Sequence, residues 1–99
     1  MAVQPTLVSR IRANDDVLFQ DLQGEGVLLN LKTGAYFGLD QVGTRVWQLL
    51  EQHEALSEIV AAILAEYDVP EARCAEDILA LIADMEKQGL VRELIAGPP

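Results

Sequence analysis

The chain has 99 residues, with seven basic against sixteen acidic side chains and a net charge of −9. That length suits one domain with a modest core, and a hydrophobic content of 51% is enough to fold it. The negative field repels phosphate backbones and anionic lipid surfaces and favours cationic partners, which counts against nucleic-acid and membrane roles.

Met1 to Thr6 read as a loose tail, and "MAVQPTLVSRIR" lacks the continuous apolar core of a signal peptide. "LVSRIR" (Leu7 to Arg12) alternates apolar and polar residues, the period of a half-buried strand. "ANDD" is a turn, "VLFQDL" (Val17 to Leu22) a second strand, and "QGEG" a break. "VLLNL" (Val27 to Leu31) and "AYFGL" (Ala35 to Leu39) flank "KTG", and Gly34 can take the positive φ of a hairpin turn.

Three helices follow. Asp40 is a good N-cap for a helix from about Gln41 to Gln52, with Val42, Val46, Leu49 and Leu50 on one stripe and Trp47 beside it. Gly43 costs that helix roughly 1 kcal/mol relative to Ala, which predicts close packing against the hairpin. Ser57 is expected to cap the second helix, to about Tyr67, with Ile59, Val60, Ile63, Leu64 and Tyr67 on one stripe. "DVP" breaks the chain, and a third helix runs from about Glu71 to Gln88, burying Ile78, Leu81, Ile82 and Met85. Gly89 ends it. "LVREL" suggests a short final strand before a fraying "AGPP". Strands first and helices after, without repeats or low-complexity tracts, make one α+β domain over residues 1–99, its core about 7–95. The outline is also that of a winged helix-turn-helix.

Catalytic chemistry is sparse. His53, among carboxylates at a helix end, reads as a surface residue favoured by the helix dipole. Cys74 is the single cysteine, so no internal disulfide forms and a reducing compartment is implied. It reads as a small half-buried thiol with no histidine to activate it. Glu76, Asp77, Asp84 and Glu86 scatter over several helix faces, so no metal site is expected. No phosphate-binding glycine loop is present. Apolar runs such as "IVAAILA" fall far short of the ~20 residues that span a bilayer. The expectation is a cytoplasmic protein without cofactor, metal, membrane or nucleic-acid partner. A winged-helix regulator would need a basic recognition helix, whereas Glu71 to Gln88 carries Arg73 and Lys87 against five acids. The hairpin remains. Its second strand runs straight into a helix, so it can lie at a sheet edge and offer unpaired amides to an extended peptide, unless another segment covers it.

"LNLKTGAYFGLDQVGTRVWQLL", "LSEIVAAILAEYDVP" and "DILALIADMEKQGLV" together resemble the PqqD-like family, the RiPP precursor-peptide recognition elements. The resemblance runs from about Val17 to Val91, carried by the "TG" turn with its aromatics, the "LD" cap, Gly43 with Trp47, and "GLV". It implies a three-stranded antiparallel sheet packed on three helices, winged helix-turn-helix-like, and no enzymatic activity of its own. It further implies that the leader segment of a precursor peptide adds as a strand at the sheet edge. Carried over, the edge is Ala35, Tyr36, Phe37, Gly38 and Leu39, with Ala35, Phe37 and Leu39 facing inward. The groove wall is the Ile78, Leu79, Ile82 and Met85 region of the third helix. "KTGAYFGLD" looks more like the stand-alone leader binders of lasso-peptide biosynthesis than the chaperone of pyrroloquinoline quinone synthesis, which serves a radical enzyme. Its expected partners are then a precursor leader, a separate cysteine-type leader peptidase and a downstream cyclase.

Overall fold

The computed structural model describes residues 6–94. The expected loose tail (Thr6 apart) and the fraying "AGPP" lie outside those residues. The described elements are, in order, β1 (Arg10–Ala13), β2 (Val17–Leu22), β3 (Glu25–Asn30), β4 (Tyr36–Gly38), α1 (Gln41–Leu50), α2 (Leu56–Glu66), α3 (Glu71–Lys87) and β5 (Val91–Leu94).

β2, β3 and β4 form an antiparallel sheet in that order, while β1 and β5 pair in a separate two-stranded sheet. The last strand therefore exists, but it partners the first and closes the chain's two ends on each other. Gln23 and Gly24 both take positive φ, and with Leu22 opposite Glu25 they make the two-residue turn that suits the twist of β2 and β3. The longer turn between β3 and β4 uses Gly34 at φ 77.

The first strand was expected from Leu7, and the structure begins it at Arg10. The preceding segment has another task. The N–H of Leu56 donates to Ser9 C=O at 3.1 Å, and that of Ser57 to Leu7 C=O at 3.0 Å. These bonds satisfy the free amides at the start of α2. They also correct the expected Ser57 cap: the capping position is Ala55, without a side-chain bond. At α1 the expected cap forms, Asp40 Oδ1 accepting from Gly43 N–H at 2.7 Å. A Cβ on Gly43 would come within 3.3 Å of Leu39 Cδ2 and 3.1 Å of Asp40 Oδ1. The glycine thus lets α1 start hard against the end of the hairpin.

One core lies between the helices and the sheets. Ile11, Leu28, Val46, Leu56, Ile59, Ile82 and Met85 have no exposed surface. Burying each such side chain contributes roughly 1.5–3 kcal/mol. Val42, expected on the buried stripe of α1, is exposed instead. It sits in the first turn, on the rim of a groove described below.

Candidate peptide-binding site

β4 has a neighbour on one side only. Asn30 N–H donates to Ala35 C=O at 2.9 Å, and Leu39 N–H to Gly26 C=O at 2.8 Å. Phe37 lies opposite Leu28 between them. Alternation along a strand then aims the backbone groups of Phe37 at β3 and those of Tyr36 and Gly38 away from it. No turn, cap or tertiary bond among the described residues engages those outward groups. The strand therefore presents a short open ladder.

Side chains alternate too. Leu39 is buried and Phe37 packs partly against the core, whereas Tyr36 projects from the opposite face. Ala35 is exposed in the turn. Two residues beyond Gly38, at Asp40, an open groove of about 450 Å³ begins. Val42 of α1, Tyr67 and Val69 after α2, and Cys74 and Ile78 of α3 line it.

The α3 residues expected to wall the site are placed differently. Ile78, Ile82 and Met85 are 3%, 0% and 0% exposed, and belong to the core. Their i, i+4, i+7 spacing is that of the helix's inward stripe. Ile78 alone also reaches the groove, and Leu79 is partly buried at the core's margin.

Two buried polar residues fix the edge in place, and neither was singled out from the sequence. Thr44 Oγ1 accepts from Gly26 N–H at 2.7 Å and donates to Asp40 C=O at 2.7 Å. It fastens α1 to β3 beside the end of β4. Asn30 Nδ2 donates to Gln88 C=O at 2.9 Å, and its Oδ1 accepts from Lys32 N–H at 2.9 Å. An asparagine inside "VLLNL" is a poor strand former. That anomaly was the available signal.

The reactive groups do not converge on the edge. Cys74 is buried in the groove floor, and burial, with Asp77 second, pushes its thiol up, away from the reactive thiolate. His53 Nδ1 is 3.9 Å from Glu58 Oε2, beyond the C-terminal end of α1, whereas the groove meets that helix at Val42 in its first turn; Arg10 and Arg12 lie near the histidine. Among the described residues no group of three or more His, Cys, Asp or Glu could hold a metal ion, and no helix is long and apolar enough to cross a membrane.

A small α+β domain with an open strand edge and an apolar groove beginning two residues further on has the build of a peptide-recognition domain. The chain belongs to the PqqD family: residues 25–91 match the family described as "Coenzyme PQQ synthesis protein D (PqqD)". Its fold is similar to that of TbiB1 in complex with the TbiA(β) leader peptide, at 38% identity over 86% of this chain and 99% of that one, with a TM-score of 0.79. It is also similar to a lasso peptide synthetase B1 complexed with its leader peptide, at 20% identity over 84% and 98% of the two chains, with a TM-score of 0.75. At the lower identity the likeness is one of fold. No curated protein matches the sequence significantly.

Proposed function

We propose that the protein binds the leader segment of a ribosomally made precursor peptide as an added strand on β4, and delivers it to separate enzymes of lasso-peptide biosynthesis. The observation that carries this reading is the outward backbone of Tyr36 and Gly38 on the open side of β4. The likeness to TbiB1, solved with a leader peptide, supports it. Backbone bonds give affinity in strand addition, and pockets for alternate side chains give specificity. Ala35 to Leu39 supply the edge; Ile78 and Leu79 supply the accessible part of the α3 wall, with Ile82 and Met85 bracing it from the core.

The role is non-catalytic and cytoplasmic. Cys74 is buried and unactivated, so removal of the leader falls to a separate cysteine-type peptidase, and ring closure to a cyclase. The order of helices and flanking strands fits a winged helix-turn-helix relative. The acidic α3 favours a peptide over DNA as its ligand.

Fluorescence anisotropy with a labelled leader peptide, taken from any short precursor reading frame found beside this gene, tests the reading. Saturable binding without cleavage is expected. Absence of leader binding together with a footprint on promoter DNA would overturn it.

A further inference from the structure

The seven basic side chains of this acidic chain are not spread evenly. Five of them lie on the two-stranded sheet or around a hollow beside it. β1 and β5 bury Ile11 and Val91 on one face. Arg10, Arg12 and Arg92, one residue out of phase with these, project from the other, and all three are exposed. The pairing sets Arg12 directly opposite Arg92. Like charges so placed are destabilising, and an exposed position does not require them for packing.

Arg92 also lines a hollow of about 460 Å³, together with Lys32 in the turn after β3 and Lys87 at the end of α3. Asn14 and Asn30 add amide groups to its wall, and Asp15 and Asp16 line it as well. Ion pairing singles this hollow out. Arg10 and Arg12 share Glu54, Lys32 pairs with Asp16 at 3.3 Å, Arg45 with Glu66 at 2.8 Å and Arg73 with Asp77 at 3.8 Å. Among the described residues only Lys87 and Arg92 form no ion pair, on a chain with sixteen acids, and both line the same hollow. The head of Arg92 is also held in place. Asn14 Oδ1 accepts from its Nη1 at 3.0 Å, while Asn14 Nδ2 donates to Gly89 C=O at 2.8 Å. The guanidinium's other donors have no partner among the described residues.

We infer that this hollow, with the arginine row beside it, binds an acidic peptide segment whose Asp or Glu carboxylates accept from Arg92 and pair with Lys87. A guanidinium fork matches a carboxylate bidentately. The field of the whole chain favours cationic partners, but here the local sign is reversed. A long polyphosphate or an anionic bilayer would bring its charge against the rest of a chain of net charge −9. A short carboxylate run stays within the basic patch. No β4 residue lines the hollow, so the site does not rest on the function proposed above.

The test titrates the protein at low salt with labelled octaglutamate and, in parallel, with a single-stranded DNA oligonucleotide of equal charge. Saturable octaglutamate binding that weakens as salt rises is expected, with NMR shift changes at Lys87, Gln88 and Arg92 and none at Tyr36 or Gly38. The double variant Lys87→Gln/Arg92→Gln should weaken it at least tenfold without lowering the melting temperature, because relief of the Arg12–Arg92 repulsion offsets the lost bond to Asn14. Asp15→Asn, which removes a competing carboxylate, should tighten it at least twofold. Octaglutamate that fails to bind overturns the proposal, as does binding that the double variant leaves unchanged. Tighter binding of the oligonucleotide would give the patch to nucleic acid and overturn it too. Shift changes at the β4 edge in place of the hollow would do the same. Should the double variant fail to fold, Asp15→Asn decides: no gain in affinity overturns the proposal.

Discussion

Asn30 Nδ2 donates to the backbone carbonyl of Gln88 across 2.9 Å, joining the end of β3 to the end of α3. The same side chain holds the hairpin turn through the amides of Lys32 and Thr33, at 2.9 and 3.3 Å. One buried residue therefore sets both the shape of the hairpin and its station against the helix.

Asn30→Ala is expected to cost about 2–3 kcal/mol in urea denaturation, since several buried or half-buried partners lose their bonds together. Asn30→Asp separates the two roles. It keeps the acceptor for the turn amides but sets a carboxylate against the Gln88 carbonyl. Its stability should fall, and leader affinity with it, as α3 loses its tie to the hairpin. Full stability in Asn30→Asp would show that the tie to Gln88 is dispensable.

Thr44 makes the corresponding joint at the other end of β4. Thr44→Val keeps the volume and removes both hydroxyl bonds, leaving the buried Gly26 N–H without its acceptor. A loss of about 1–3 kcal/mol is expected. Thr44→Ser retains the hydroxyl and should recover most of it. Equal losses in the two variants would point to packing instead of hydrogen bonding.

Acid should act in two opposed ways. Burial, and then the neighbouring Glu93, raises the Glu86 carboxyl above the usual range. The folded chain holds that proton more tightly than the unfolded one. Stability from Glu86 is therefore greatest at low pH and falls as pH rises through the window between its unfolded and folded values. Glu54 is lowered by hydrogen bonds from Arg12 and Arg10, and Glu66 by the paired bonds from Arg45, so their contributions are lost as pH falls through the lowered values. Glu86→Gln should be more stable than wild type at neutral pH, with the difference vanishing near pH ~4, where carboxylates protonate. A difference that stays constant with pH would contradict the assignment.

Much of the fold was legible in the sequence, because periodicity and turn chemistry are local signals. The "VLFQDL" strand, the hairpin around Gly34, the Asp40 cap and the C-terminal Gly89 follow from residue types a few positions apart. Long-range substitutions for local rules were not legible. Ser57 has the chemistry of a cap, yet the backbone of Leu7 and Ser9, some fifty residues earlier in the chain, satisfies those amides. Likewise "LVREL" reads as a strand but does not reveal that β1 is its partner. At the site, the edge strand was visible as a pattern and the groove was not. The spacing of Ile78, Ile82 and Met85 marks a buried stripe, and a buried stripe alone does not distinguish a core from a ligand wall. The groove instead depends on Val42 and Val69, single apolar residues that meet at one surface only when α1, α2 and α3 come together.

Strand addition on β4 is tested most directly by amide hydrogen exchange at Tyr36 and Gly38, measured by NMR with and without saturating leader peptide. Phe37, bonded to Leu28, should already be protected in the free protein and change little. Tyr36 and Gly38 should exchange readily when free and slow at least tenfold on binding, as their N–H groups gain partners on the added strand. Leader that binds while both amides keep their free exchange rates would contradict the account.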